Sequence, residues 1–249
     1  PIFPSACAFV PTMGALHAGH ASLFTLAKSY SENVVASIFV NPLQFESARD
    51  LALYPRTPDV DIEIAAAAGV THLWLPNFHD IYPEGFTKLS AGPIGDIYEG
   101  VKRPGHFDGV LTVVNRLFEL VKPQWAVFGE KDFQQIAVVR KMLEITGSTI
   151  ELIPCPTVRS AKGLALSSRN ARLSEAQKQQ ALAIYKGFEL PSADEFKQSL
   201  LANGFESIDY IACVDPLTLV EKNYQEKPCL ILVAAFIGGV RLIDNKTCS

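Results

Sequence analysis

Over its first 155 residues the chain alternates apolar or β-branched runs with amphipathic helical stripes, and few architectures accept that alternation. Ala6–Val10 is a short apolar run ending at Pro11, and Val34–Val40 is a β-branched run closed by Asn41-Pro42. Between them Leu16, Leu23, Leu26, Ala27 and Tyr30 recur at helical spacing. Thr57-Pro58 reads as an N-cap followed by proline at the first helical position, opening a helix to Ala68 that Gly69 ends. Thr71–Leu75 predicts the next strand. Val110, Val113, Val114, Leu117, Phe118 and Val121 form a further helical stripe; Trp125–Phe128 is strand-like, Phe133–Thr146 helical and Thr149–Ile153 strand-like again. This order implies βαβ units, hence an α/β, Rossmann-like parallel sheet with helices on both faces.

After Pro154-Cys155-Pro156 the character changes. A polar, basic stretch runs Arg159–Arg172, and Ser174-Glu175-Ala176-Gln177 matches a capping box that starts a helix. A second helix is expected at Asp194–Asn203, then strands at Ile208–Val214, Leu230–Phe236 and Val240–Ile243. The pattern predicts a smaller C-terminal α+β domain, giving domains 1–155 and 156–249.

Composition narrows the function classes. With 48 % hydrophobic and 19 % charged residues, the 249-residue chain is too apolar for disorder. No apolar run approaches the roughly 18 residues of a spanning helix, and Pro1–Val10 has no basic, long-apolar signal-peptide pattern. A net charge of −4 without basic clusters argues against a general nucleic-acid binder. Five cysteines without a CxxC pair argue against a disulfide framework or zinc site and fit a reducing cytoplasm.

The strongest local signal is Pro11-Thr12-Met13-Gly14-Ala15-Leu16-His17-Ala18-Gly19-His20. A strand ends, a glycine-containing turn follows and a helix begins. His17 and His20, three apart, are expected on one face of the first helical turn. Free backbone N–H groups and the helix dipole make such a place attractive to phosphate. Two imidazoles there can donate hydrogen bonds to a phosphate as its charge grows; the alternatives are two surface histidines capping a helix, or a metal pair. Gly14 and Gly19 do not form GxGxxG, and no GxxxxGK[ST] occurs, so the dinucleotide fingerprint and the P-loop are both absent.

His17-Ala18-Gly19-His20 is similar to the HIGH-type signature of the nucleotidylyltransferase superfamily. Further blocks follow in order: Ser37–Phe45, Arg103–Phe107 with Gly109–Val114, Phe128–Gln135, Leu166–Asn170 and Arg241–Asn245. Together they resemble the pantothenate synthetase (pantoate–β-alanine ligase) family over nearly the whole chain. The resemblance implies condensation of pantoate with β-alanine through a pantoyl adenylate, releasing pyrophosphate and then AMP. It also implies a homodimer; ATP chemistry implies Mg2+, and the charge balance and lack of a long apolar run predict no nucleic-acid or membrane partner.

The resemblance assigns residues as well. His17, His20 and Lys131 are the expected catalytic groups, with His20 the proton donor. ATP is expected against Met13, Gly14, Ala15, Leu16, His17, Ala18, Gly19 and His20, then Gly129, Glu130, Lys131 and Asp132, then Val158, Leu166, Ser167, Ser168 and Arg169. The last three are the counterpart of a KMSKS-type loop, whose hydroxyls and guanidinium can follow departing pyrophosphate. The family usually has methionine where this chain has Leu166. Gln44 and Gln135 are the expected pantoate and β-alanine contacts, since an amide both donates and accepts, and Phe39 and Met13 can supply an apolar wall. Asn41, Tyr54, Arg103 and His106 are further candidates. The sequence Asp59-Val60-Asp61 departs from the consecutive acids of some relatives, so no metal ligand is assigned. Residues 1–155 are thus expected to bind nucleotide and pantoate, and 156–249 to act as a lid. Two other classes compete: nucleotidyl transfer to a phosphorylated acceptor, which needs a second phosphate site instead of Gln44 and Gln135, and a tRNA-charging module.

Overall fold

The computed structural model describes residues 2–45, 48–224 and 226–248, together with the backbone but not the side chain of Asp50. The chain divides into two compact units, 1–129 with 134–155, and 130–133 with 156–249. The sequence suggested one boundary near 155; residues 130–133 group instead with the second unit, for a reason given below.

In the first unit the chain runs β1 (Ala8–Thr12), α1 (Ala18–Tyr30), β2 (Val34–Ile38), α2 (Ala48–Leu53), α3 (Pro58–Ala67), β3 (His72–Trp74), α4 (Phe78–Ile81), α5 (Glu99–Lys102), α6 (His106–Val121), β4 (Trp125–Gly129), α7 (Phe133–Thr146) and β5 (Glu151–Cys155). The five strands are parallel, in the order β3-β2-β1-β4-β5. Successive side chains point to opposite faces, which sorts the apolar residues into two cores. Phe9, Val35, Ala126 and Phe128 pack with α6 and α7, whereas Ala8, Val10, Val34, Ala36 and Val127 pack with Phe24 and Ala27 of α1 and Ala65 of α3. Each large side chain buried in this way contributes roughly 1.5–3 kcal/mol. The order reverses between β1 and β4, the switch point at whose carboxyl edge open α/β sheets take their ligands.

The second unit contains α8 (Glu175–Gly187), α9 (Ala193–Ala202) and an antiparallel sheet β6 (Ser207–Val214), β7 (Cys229–Ile237), β8 (Val240–Cys248). Its core joins Ala181, Ile184, Phe188, Phe196 and Leu200 to the central strand β7. Ser174 and Gln177 form the expected capping box. β8 runs well past the expected Ile243 because its polar residues are satisfied inside: Asp244 and Asn245 are buried, and each has hydrogen-bonded partners. Among the described residues no helix is long and apolar enough to cross a membrane.

Candidate active site

β1 ends where Thr12 Oγ1 donates to the Ser37 carbonyl, 2.7 Å away. The chain then turns through two left-handed residues, Gly14 (φ +81°) and Ala15 (φ +50°). A Cβ on Gly14 would also sit 2.9 Å from Asp61 Oδ2, so both conformation and space call for glycine there. Asp61, 1 % exposed, reaches in from α3. Its Oδ2 accepts the Ala15 N–H (3.1 Å) and its Oδ1 accepts the Leu16 N–H (2.8 Å). Thr57 was expected to cap α3 but makes no side-chain cap; its hydroxyl donates instead to Asp61 Oδ1 at 3.0 Å.

This turn delivers His17 as the N-cap of α1, with extended backbone, so the helix proper begins at Ala18 rather than at His17. The two histidines lock reciprocally. His17 Nδ1 accepts the Gly19 N–H (3.0 Å), and His20 Nδ1 accepts the His17 N–H (3.2 Å). Their rings lie 4.3 Å apart, centroid to centroid. An imidazole nitrogen that accepts cannot carry the proton, so both neutral rings hold it on Nε2. The helix-capping alternative is therefore real, and it is compatible with donation by the opposite nitrogen of each ring.

In the same unit Gln44 ends a 3-10 turn after β2. Asn41 Nδ2 donates to Gln44 Oε1 (2.9 Å) and to the Gly109 carbonyl (3.1 Å). Tyr82 hydroxyl in turn donates to Asn41 Oδ1 at 2.7 Å. Burial pushes the Tyr82 hydroxyl pKa up more than that hydrogen bond lowers it, so it remains a donor. With its oxygen fixed, the Gln44 amide turns Nε2 to Met13 Sδ, 3.2 Å away. Arg103 and His106 both meet the Gln44 main-chain carbonyl (3.3 and 3.0 Å), and Tyr54 stacks edge-on against Phe45. Phe39 is buried against Tyr82. Gln135 lies half-buried on α7. Its neighbour Gln134 is a residue the sequence did not single out: buried, it accepts the Glu99 N–H and donates to the carbonyls of Ile94 and Ile97.

In the second unit Lys131, Ser167 and Arg169 line one cleft with Gly163, Tyr185, Arg241 and Asp244. A tight hairpin precedes the 167–169 loop. Arg159 bridges to Ala165, and Leu166 N–H donates to the Val158 carbonyl at 2.9 Å. Val158 thus lies outside the strands, at the base of the hairpin. Gly163 closes the hairpin at φ +103°, where a Cβ would fall 2.2 Å from the Tyr185 ring. Ser167 caps a 3-10 turn by accepting the Arg169 N–H, Ser168 is exposed, and Arg169 Nη1 donates to the Arg241 carbonyl at 3.1 Å. Beneath the loop Arg159 and the buried Asp244 form a two-pronged pair at 2.6 and 2.8 Å, with Arg159 also over the Tyr185 ring. Glu130, Lys131 and Asp132 form a 3-10 turn leading into α7, and Asn245 Nδ2 donates to the carbonyls of Glu130 (2.8 Å) and Lys131 (3.0 Å). This is the contact that groups 130–133 with the second unit. Asp61 and Asn245 are the two positioning groups that sequence reasoning missed.

The profile of the pantoate-beta-alanine ligase family matches residues 4–247. The chain is 45 % identical to the pantothenate synthetase of Acidothermus cellulolyticus, over 96 % of this chain and 84 % of that one. It is 46 % identical to that of Novosphingobium aromaticivorans, over 96 % and 90 %. The crystal structure of pantothenate synthetase from Thermus thermophilus superposes with a TM-score of 0.90 at 41 % identity, covering 98 % of this chain and 94 % of that one. The Francisella tularensis pantoate-beta-alanine ligase, crystallised with beta-gamma ATP and beta-alanine, gives 0.82 at 38 % identity, covering 97 % and 89 %. With the family profile spanning almost every residue and relatives this similar over nearly their full lengths, the chain belongs to the pantoate–β-alanine ligase family.

Proposed function

We propose that this chain makes pantothenate in two steps on one set of residues: pantoate carboxylate attacks the α-phosphorus of ATP, and the β-alanine amine then attacks the acyl carbon. Family membership gives the pantoate–β-alanine ligase activity itself; the assignment of residues is our reading. In the first step an O–Pα bond forms and the bond from Pα to the bridging oxygen breaks, so negative charge moves onto pyrophosphate. In the second a C–N bond forms, AMP leaves with the electron pair of the acyl–oxygen bond, and the amine gives up a proton.

The observation that carries this reading is the reciprocal capping of His17 and His20, which keeps both protons on Nε2. Preset donors of this kind cost no reorganisation when phosphate charge develops. Lys131 adds a compact charge, while Ser167, Ser168 and Arg169 follow the pyrophosphate. Gln44, with its oxygen held by Asn41 and its NH2 on Met13 Sδ, reads pantoate together with Gln135 against Met13 and Phe39. Magnesium travels with ATP, held chiefly by phosphate oxygens and water. The described residues include no group of three or more His, Cys, Asp or Glu set to hold an ion, and no step is assigned to it.

The test is an omission series. AMP is expected in proportion to pantothenate with ATP, pantoate and β-alanine together; without β-alanine, ATP should exchange with labelled pyrophosphate only when pantoate is present. Exchange without pantoate overturns the adenylate reading. A homodimer and a cytoplasmic setting complete the proposal. Five cysteines carried as free thiols fit that setting, and sedimentation of the purified chain reads the assembly state.

A further inference from the structure

From the second unit we infer that Asn245 is a positioning residue for Lys131, acting on the ATP half-reaction through the main chain of the 130–132 turn. Asn245 is 7 % exposed and projects from β8. Its NH2 spans two consecutive carbonyls, those of Glu130 and Lys131, at 2.8 and 3.0 Å. Both neighbours are acceptors, so the amide has only one orientation that makes hydrogen bonds there. The residue is itself anchored. Its N–H donates to Asp244 Oδ1 (2.8 Å), and its carbonyl accepts from Arg159 Nη2 (3.2 Å).

Lys131 has four rotatable carbons and no rigid fork, so where its ammonium points depends on where its Cα is held. The turn is three residues long. Asn245 holds the carbonyls of two of them and so fixes the base from which the side chain extends into the cleft that it lines with Ser167 and Arg169. The amide does this as a neutral group; a carboxylate here would face two carbonyl oxygens and offset the lysine charge.

The inference rests on Lys131 meeting ATP, and a double-mutant cycle separates the two claims. Asn245→Ala is expected to lower kcat/KM for ATP about 10- to 100-fold, the scale of a small misplacement of a catalytic group, with KM for β-alanine unchanged. Added to Lys131→Ala, the same substitution should cost little more. Asn245→Ser, which keeps one donor, should fall between wild type and Asn245→Ala, and it replaces alanine in the cycle if that variant does not fold. An equal loss in both backgrounds, or wild-type kinetics for Asn245→Ala, overturns the positioning role. Wild-type kinetics for Lys131→Ala alone overturns the underlying role of the lysine.

Discussion

The turn after β1 and the turn after β4 are each fastened by one buried side chain gripping two consecutive main-chain groups, with opposite polarity. Asp61 accepts the N–H groups of Ala15 and Leu16; Asn245 donates to the carbonyls of Glu130 and Lys131. The difference follows from what each turn carries. The first passes through left-handed Gly14 and Ala15 ahead of α1, leaving the Ala15 and Leu16 N–H groups in need of acceptors, and a carboxylate satisfies them strongly. Its charge is engaged by two amides and the Thr57 hydroxyl. The second turn presents a cation, and a neutral amide holds it without competing for that charge.

The comparison is broken most severely by removing what the turns present. His20→Ala or Lys131→Ala should cost on the order of 10²–10³ in kcat, as loss of one transition-state donor does. Steady-state AMP release measures it, and near-wild-type turnover would remove that residue from the mechanism.

Removing the first fastener comes next. Asp61→Ala leaves the Ala15 and Leu16 N–H groups without their acceptor, a loss of about 1–3 kcal/mol, read as a lower denaturant midpoint at constant m-value. Turnover should fall with it, because His17 follows directly. Unaltered kcat with reduced stability would make Asp61 a fold residue only.

The smallest effect sharpens the contrast between buried and exposed fasteners. Asp215 accepts the N–H groups of Leu217 and Thr218 just as Asp61 accepts two amides, but it lies at the surface. Those backbone bonds hold its carboxyl pKa below the ordinary value. A depressed folded-state pKa means that its contribution is complete above the unfolded pKa and is lost as pH falls through the lower folded one. Asp215→Asn should therefore flatten the acid limb of a stability–pH profile slightly and leave neutral kinetics alone; an unchanged acid limb would show that the turn does not depend on the charge.

What the sequence disclosed was what is local. The strands and helices are written each in its own stretch of periodic sequence, and the His17–His20 element in a short motif whose capping bonds span two and three residues. The fasteners are not local: Asp61 meets Ala15 46 positions away, and Asn245 meets Glu130 115 positions away. No periodic pattern encodes such a meeting. α4 and α5, of four residues each, are too short to show a helical stripe. β8 was cut short for a related reason, since Asp244 and Asn245 look like a strand end until the half-buried Arg159 and the 130–131 carbonyls are known. Gln134 and Gln135 show the same limit at single-residue scale: adjacent on one helix, one is buried with all its bonds internal and the other half-exposed.

The interlocked imidazoles carry one more consequence. Each ring spends Nδ1 on architecture; on the mechanism proposed above the same two side chains also serve the chemistry, so thermostability and turnover would draw on both. A design procedure that scored only helix initiation would replace His17 with asparagine or serine, the better starters, and on the proposed mechanism the gain in melting point would come with a loss of turnover.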